Sequence, residues 1–307
     1  MSNPPSATDL EWTILRVILW AAAYLKERGI ESPRSAAEIL LAHALRTDRV
    51  QLYVHHDKPL EKAELAAFKD LIQRRVRREP VAYIVGRKGF WTLDLAVGPE
   101  VLIPRPETER LVEAALAVLA KVPEGRCARV LDLGTGSGAV VLALAAEAGR
   151  HRYFASDLSI AAVATARRNA LAAGVGGRVE FFAADWFSAL RQGSEPFGLI
   201  VSNPPYVTRS ALAGLQPEIV RHEPHLALDG GPDGLKSYRA IIGTAGSHLA
   251  PGGSLLLEIG CDQREAVQGI AAQTGGYEEF QCLADYAGRD RVVALRKKDV
   301  AADQKIC

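Results

Sequence analysis

The chain has 307 residues, which is long enough for one large domain or for a large and a small one. Of these residues, 48% are hydrophobic and 24% are charged. Its formal net charge is +1, so no overall field draws it to nucleic acid or to an anionic membrane, although a local basic patch could still do so. The cysteines, Cys127, Cys261, Cys282 and Cys307, form no CxxC pair. We therefore expect no metal site and reduced thiols in a cytoplasmic protein.

The most apolar early stretch, residues 12–25, argues against a membrane protein. It contains Arg16 and is shorter than the about 20 apolar residues that span a bilayer. Asp9 and Glu11 argue against an organelle transit peptide. We expect no membrane association.

Residues 1–80 are predicted to form a small helical domain. Apolar side chains recur at helical spacing over residues 14–25, 33–45 and 61–78. Ser32 is predicted to be the N-cap of the second helix, because a proline follows it at the first helical position. Pro80 ends the third helix, since the residue before a proline disfavours helical geometry.

The rest of the chain divides into three further predicted segments. Short extended stretches with glycine turns predict a β-hairpin linker over residues 81–103. Strands and helices then alternate over residues 104–298, which predicts an α/β domain with a doubly wound, mostly parallel sheet. Residues 299–307 are polar and are predicted to be a disordered tail.

The elements of the α/β domain are predicted from apolar runs and helical periodicity. The predicted strands span residues 129–133, 153–157, 179–183, 198–202, 254–259, 279–283 and 291–296. The predicted helices span residues 107–119, 139–148, 159–173, 238–249 and 264–274. No helix separates the last two strands, so they are predicted to form an antiparallel pair.

Residues 132–138, Asp-Leu-Gly-Thr-Gly-Ser-Gly, lie where the first of these strands gives way to a helix. Glycines at such a turn let backbone N–H groups approach a ligand closely. The run also fits the dinucleotide pattern G-x-G-x-x-A, with Asp157 about 20 residues further on. A nicotinamide cofactor therefore competes with S-adenosylmethionine. The candidate cofactor residues of the loop are Gly134, Thr135, Gly136, Ser137 and Gly138.

Two features favour S-adenosylmethionine. The Asp132 carboxylate would repel a pyrophosphate but can pair with the cationic amino acid part of this cofactor. The closing antiparallel pair is typical of methyltransferases that use it. Asp157 would then accept hydrogen bonds from the ribose hydroxyls, Asp185 would accept one from the adenine amino group, and Trp186 would stack on the ring. Helix capping by Asp157, which Ser159 could provide instead, and core packing of Trp186 remain alternatives.

Asn203-Pro204-Pro205-Tyr206 follows the fourth strand of the domain, at the edge where doubly wound sheets bind ligands. The Asn203 side-chain oxygen and the Pro204 carbonyl can each accept one N–H of a planar NH₂ group. Two such acceptors fix the nitrogen for in-line methyl transfer without a general base. Tyr206 offers a face for stacking. We predict catalytic roles for Asn203, Pro204 and Tyr206, and substrate binding by all four residues, Pro205 included.

Over nearly its whole length the chain resembles the peptide chain release factor glutamine methyltransferases of the HemK/PrmC type. Four segments carry the resemblance: residues 78–86, Phe90 with residues 101–109, residues 132–138, and residues 203–206. The Pro-Arg-Pro-Glu-Thr-Glu part, residues 104–109, is the most specific. Asn-Pro-Pro-Tyr by itself also occurs in DNA adenine methyltransferases.

The resemblance implies a class I S-adenosylmethionine-dependent methyltransferase fold. It implies methylation of N5 of the glutamine in the Gly-Gly-Gln motif of class 1 release factors, with S-adenosylhomocysteine as product. The helical domain would dock the release factor. The family's cofactor residues carry over as residues 134–138, Asp157, Trp186 and Asn203. We expect a monomer with no direct nucleic-acid substrate.

Several alternatives stay open on the sequence. They are a methyltransferase of a ribosomal-protein glutamine, an adenine-N6 methyltransferase, a nicotinamide dehydrogenase and a non-catalytic binder. The basic run Arg74, Arg75, Arg77 and Arg78 either contacts the partner or forms a solvated helix face, and we favour the solvated face.

Overall fold

The computed structural model describes residues 12–191 and 193–299. Of the predicted tail, all but Asp299 lies outside these residues. The chain divides into two compact units, Met1–Gly86 with Pro217–His222, and Arg87–Gln216 with Glu223–Cys307.

The elements are as follows. The helices are α1 (Ile14–Glu27), α2 (Pro33–Ala44), α3 (Arg49–Val54), α4 (Lys62–Val76), α5 (Val81–Val85), α6 (Glu109–Leu119), α7 (Ala139–Glu147), α8 (Ile160–Ala172), α9 (Arg209–Leu212), α10 (Pro217–His222), α11 (Lys236–His248) and α12 (Arg264–Thr274). The strands are β1 (Arg87–Phe90), β2 (Leu93–Ala96), β3 (Arg129–Leu133), β4 (Arg152–Asp157), β5 (Val179–Ala183), β6 (Phe197–Ser202), β7 (Leu249–Glu258), β8 (Tyr277–Ala284) and β9 (Asp290–Lys297). Short 3-10 turns span Pro106–Thr108 and His225–Ala227.

The helical unit contains the three predicted helices, α1, α2 and α4, and the short helix α3, which was not predicted. The apolar stripe of α1 is buried as its spacing predicts. Ser32 occupies the N-cap position of α2, but its φ of 47° lies in the left-handed region and its side chain makes no capping hydrogen bond. The proline that follows needs no cap for its nitrogen, because it has no N–H.

The prediction of extended structure at residues 81–85 is wrong. These residues form α5, and the Pro80 carbonyl accepts hydrogen bonds from the backbone N–H groups of Tyr83 and Ile84. Both of those side chains are buried, so tertiary packing outweighs the strand preference of a β-branched run. The predicted hairpin is formed by β1 and β2, which pair antiparallel.

The second unit is built on a seven-stranded sheet in the order β5-β4-β3-β6-β7-β9-β8. Strands β3 to β7 run parallel, and β9 is antiparallel to both of its neighbours. This confirms the predicted doubly wound fold and its closing antiparallel pair. The stretch between β6 and α11, for which no element was predicted, contains α9, α10 and a 3-10 turn.

Two apolar clusters cover the two faces of this sheet. One contains Val130 and Leu199 with side chains of α6 and α7, and the other contains Leu131 and Ile200 with side chains of α11 and α12. Neighbouring residues of one strand therefore belong to different clusters, as the two-residue period of a strand requires.

The order of the strands reverses at β3, which lies between β4 and β6. Leu133, at the end of β3, is paired with Ser202, at the end of β6. The glycine-rich loop and Asn203 therefore begin side by side at the carboxyl edge of the sheet. This is the place where open α/β sheets form their ligand crevice.

Candidate active site

A cavity of about 530 Å³ lies at this edge of the sheet, within the second unit. Most of the predicted site residues line it: Gly134, Thr135, Gly136, Ser137, Asp157, Asp185, Trp186, Asn203 and Pro205. Gly138, Pro204 and Tyr206 are not among its lining residues. The structure thus brings the two predicted motifs to one cavity.

The glycine-rich loop is held in a conformation that favours glycine. Gly134, Gly136 and Gly138 all have positive φ, of 71°, 56° and 86°. The backbone N–H groups of Gly134 and Thr135 donate to the Ser156 carbonyl at the end of β4, each at 2.9 Å. The loop is therefore tied to the neighbouring strand as it passes the cavity.

Asp132 places a buried carboxyl in the wall of the cavity. It accepts a hydrogen bond of 2.7 Å from the Thr135 hydroxyl. Burial raises the pKa of Asp132 to about 7, against the opposing effect of its hydrogen bonds. No basic side chain of residues 12–191 and 193–299 forms an ion pair with it. A site of this kind suits a cationic ligand group, whereas a pyrophosphate would be repelled.

Asp157 binds two backbone N–H groups at the end of β4. Its Oδ2 accepts from Gly136 at 2.9 Å and its Oδ1 from Ser159 at 2.8 Å. The cap of α8 is provided by the Ser159 hydroxyl, which accepts from the Ala162 N–H at 3.2 Å. Burial raises the pKa of Asp157. The carboxylate is therefore not needed as the cap and lies in the cavity wall, with spare acceptor capacity for a ligand.

Trp186 and Asp185 follow β5 and form another part of the wall. Trp186 has a φ of 48°, which is unusual for a side chain of this size. Its ring lies 3.7 Å from the position that a Cβ on Gly134 would occupy, and it also packs against the second apolar cluster. The ring thus contributes both to the core and to the cavity, whereas Asp185 is exposed. Backbone strain of this kind is concentrated at ligand sites.

Asn203 is half-buried at the edge of the cavity. Its side-chain Nδ2 donates to the Thr108 Oγ1 at 3.1 Å. This bond uses the donor end of the amide, so the acceptor Oδ1 is left for a ligand. The preceding residue is also fixed, because the Ser202 hydroxyl donates to the Leu133 carbonyl at 2.7 Å.

The backbone after Asn203 is clamped at Tyr206. The Gln263 Nε2 donates to the Tyr206 carbonyl at 3.1 Å and to the Gly234 carbonyl at 3.3 Å. A Cβ on Gly230 or Gly234 would lie 2.8 or 2.5 Å from backbone atoms of Tyr206, so only glycine fits at these two positions. The two prolines thus have tertiary contacts that add to their own rigidity.

The Tyr206 side chain packs against the second apolar cluster. Burial raises its pKa to about 12, and its hydroxyl interacts with the Glu258 carboxyl. Its predicted role as a stacking face stays a prediction, as do the roles of Pro204, which is buried, and of Gly138, which is the N-cap of α7.

The segment that begins with Ile103 is anchored by the buried Glu223. The Glu223 Oε2 accepts from the Ile103 N–H at 3.2 Å, and its Oε1 accepts from the Arg105 guanidinium at 2.5 Å. Arg105 and Thr108 both line the cavity. This anchor brings the Pro-Arg-Pro-Glu-Thr-Glu segment to the site.

Four residues around the site were not predicted from the sequence: Thr108, Glu223, Glu258 and Gln263. One signal was available for Glu258, which is a charged residue within the apolar run of β7. Thr108 lies inside a segment that carried the family resemblance. Nothing local distinguishes Glu223 or Gln263, because their partners are 120 and 57 residues away along the chain.

The basic run at the end of α4 is used within the helical unit. Arg74 pairs with Glu79 at 2.5 Å, and Arg75 pairs with Glu218 at 2.7 Å. Arg78 donates to the carbonyls of Gly29 and Arg28 at 3.0 and 2.9 Å. The favoured interpretation of the run as a solvated face is therefore wrong for Arg75 and Arg78, which join separate segments of the unit, whereas Arg74 is 42% exposed and pairs with a residue five positions away.

No helix within residues 12–191 and 193–299 is long and apolar enough to cross a membrane. Within the same residues, no group of three or more His, Cys, Asp or Glu side chains is arranged to hold a metal ion.

Comparisons with known proteins cover both units. A family model described as PrmC N-terminal domain matches residues 16–86, and one described as methyltransferase small domain matches residues 108–232. A release factor glutamine methyltransferase of Geobacter sulfurreducens is 46% identical over 285 residues, which cover 93% of this chain and 97% of that protein. One of Moorella thermoacetica is 42% identical over 288 residues, which cover 94% and 100%.

Among solved structures, the hMettl16 catalytic domain in complex with a MAT2A 3′UTR hairpin is similar with a TM-score of 0.54. The similarity covers 75% of this chain and 82% of that one, at 16% sequence identity. At this identity the likeness shows the shared fold alone.

Proposed function

The chain belongs to the release factor glutamine methyltransferases, and from this premise we propose how its residues divide the work. It is an S-adenosylmethionine-dependent enzyme that methylates the side-chain nitrogen of a release-factor glutamine. We infer that the glycine-rich loop side of the cavity holds the cofactor and that residues 203–206 hold the glutamine. One observation carries this division: the Asn203 amide is fixed at its donor end beside a cavity that the loop also lines.

The residues of the cavity fit S-adenosylmethionine. When bound, this cofactor supplies an activated methyl group. Asp132 is a buried carboxyl without a basic partner among the described residues, so it suits the ammonium of the amino acid part. Asp157 would accept from the ribose hydroxyls, Asp185 would accept from the adenine amino group, and Trp186 would provide an aromatic wall.

The substrate side of the site must orient a poor nucleophile. The lone pair of an amide nitrogen is delocalised, so two acceptors that bind its N–H groups help to aim it and favour the charge that develops during attack. The Asn203 Oδ1 is one acceptor, and we propose the Pro204 carbonyl as the other. The clamp on Tyr206 supports this role, because it fixes the backbone on which both acceptors lie.

We further propose that the substrate is a class 1 release factor and that the target is the glutamine of its Gly-Gly-Gln motif. The helical unit would dock this protein, and its match to the PrmC N-terminal domain model supports that role. A monomeric, cytoplasmic enzyme with no direct nucleic-acid substrate is part of the same proposal. The net charge of +1 is consistent with it.

The test is mass spectrometry of a purified class 1 release factor after incubation with the enzyme and S-adenosylmethionine. We expect one added methyl group on the Gly-Gly-Gln peptide, and none with the Asn203→Ala enzyme. Parallel reactions with a ribosomal-protein mixture and with DNA and RNA should stay unlabelled. An enzyme that binds S-adenosylhomocysteine but leaves the release factor unmodified would overturn the proposal.

A further inference from the structure

A chain of buried polar groups lies behind the Asn203 amide. At the end of β6, Ser202 pairs with Leu257 of the parallel strand β7. The next residues of the two segments, Asn203 and Glu258, therefore lie next to each other. Thr108 and Glu258 are only 4% and 1% exposed. A carboxyl at such a position is costly to bury unless it is paired or has a function.

The hydrogen bonds along this chain have a fixed direction. The Thr108 hydroxyl has a single hydrogen to donate, and it lies close enough to the Glu258 carboxyl to lower the pKa of that carboxyl against the effect of burial. An ionised carboxylate can only accept, so in any hydrogen bond between the two groups the Thr108 hydroxyl is the donor. The Thr108 Oγ1 can then only accept from Asn203, and it lies 3.1 Å from the Asn203 Nδ2.

The surroundings of Glu258 leave one of its oxygens unused. The Glu258 Oε2 has no hydrogen-bond partner among the described residues. The charged and titratable groups that face it are Arg291 from β9, Glu107 from the 3-10 turn before α6, the Tyr206 hydroxyl, and Tyr238 from α11, whose hydroxyl donates to the Glu258 backbone carbonyl. Packing alone does not explain a carboxylate that keeps an unsatisfied oxygen in this place.

We propose that Thr108 and Glu258 are positioning residues that hold the Asn203 amide with its oxygen toward the substrate nitrogen. An amide rotated by half a turn would present its NH₂ group to the NH₂ group of the glutamine, and the acceptor would be lost. The inference rests on the proposed function, because it assumes that Asn203 binds the glutamine. Neither residue touches the reacting atoms.

The ionisation of Glu258 gives this arrangement a dependence on pH. Burial raises the pKa of Glu258 to about 7. Once protonated, the carboxyl can donate to the Thr108 oxygen, and the Thr108 hydrogen is released to bind the oxygen of a rotated Asn203. The turnover number at saturating substrates should therefore fall as the pH falls through about 7.

The first test compares Thr108→Val with Thr108→Ser. Valine keeps the shape of threonine but removes the hydroxyl, and serine keeps the hydroxyl. For Thr108→Val we expect kcat toward the release factor to fall about 10-fold, the size expected for one orienting hydrogen bond. The dissociation constant of S-adenosylhomocysteine should stay unchanged. Thr108→Ser should recover most of the loss.

The second test is the pH profile of kcat for Glu258→Gln between pH 6 and 8. A glutamine does not titrate, so the acidic fall that we expect in the wild-type profile should be absent. Asp132 also has a pKa of about 7. Because its ionisation should affect only cofactor binding, we expect it to change kcat/KM for the cofactor but not kcat at saturating cofactor. If Glu258→Gln does not fold, the threonine pair decides the question.

The outcomes distinguish failure of the proposed function from failure of the positioning role. A wild-type enzyme that does not methylate the release factor would overturn the proposed function itself. An active wild type with Thr108→Val equally active would overturn only the positioning role. The role would also be refuted if Thr108→Ser were as impaired as Thr108→Val, or if a folded Glu258→Gln enzyme kept the acidic fall in kcat.

Discussion

The cofactor side and the substrate side of the cavity are built in different ways. On the cofactor side, Asp132 is bonded to a residue three positions away and Asp157 to one 21 positions away. On the substrate side, Asn203 is bonded across 95 positions and Tyr206 across 57. The first side is held by contacts between the neighbouring strands β3 and β4 and the loop after β3, which are close in sequence, whereas the second side depends on partners far along the chain. The two sides should therefore respond differently to substitution.

Asn203→Ala should produce the largest effect, a loss of kcat, and this effect should not extend to cofactor binding. Removing one preorganised acceptor costs on the order of 10²-fold or more in kcat. The dissociation constant of S-adenosylhomocysteine, measured by calorimetry, should change little. Near-normal turnover would show that the acceptor lies elsewhere.

Asp157→Ala should produce the opposite pattern. We expect the dissociation constant of S-adenosylhomocysteine to rise about 30-fold, because hydrogen bonds to a charged acceptor are lost. The kcat at saturating cofactor should fall much less than for Asn203→Ala. The same calorimetric titration checks this, and an unchanged constant would remove Asp157 from the cofactor site.

The pH dependence of cofactor binding sharpens the comparison further. The pKa of Asp132 is raised to about 7, and a bound ammonium favours the ionised form, so binding should release a proton. Affinity should rise with pH and level off above about 7, and the loss from pH 7 to pH 6 should be about 5-fold. Asp132→Asn should bind more weakly, and without this dependence. A wild-type dissociation constant that does not change between pH 6 and pH 7 would contradict the role of Asp132 in binding the ammonium group.

The smallest effect is expected in the helical unit. The Glu64 carboxylate accepts from the Glu61 N–H at 2.8 Å and so caps the start of α4. Glu64→Ala should lower the free energy of unfolding by about 1 kcal/mol, as loss of a cap does. The dissociation constant of S-adenosylhomocysteine should not move. A large change in that constant would mean that the cofactor side depends on the helical unit.

The same contrast explains how much could be predicted from the sequence. The alternation of strands and helices, the glycine loop and the place of Asn203 follow from patterns within about 20 residues. The proposed roles of Thr108 and Glu258 depend on contacts with segments far away along the chain, which no local pattern records. The error at α5 has a similar cause, since Tyr83 and Ile84 are held in a helix by burial against local preference.

The helical unit is formed by two separate segments of the chain, which matters when fragments of the protein are made. Its buried Arg75 is neutralised by Glu218, which lies 143 positions further along the chain. A fragment that ends at residue 86 would therefore lack the carboxylate partner of Arg75, and removing one member of a buried ion pair is destabilising. The boundary suggested by the 16–86 family match is thus not a place where the protein separates cleanly. Any exchange of this unit between relatives must therefore also carry Pro217–His222.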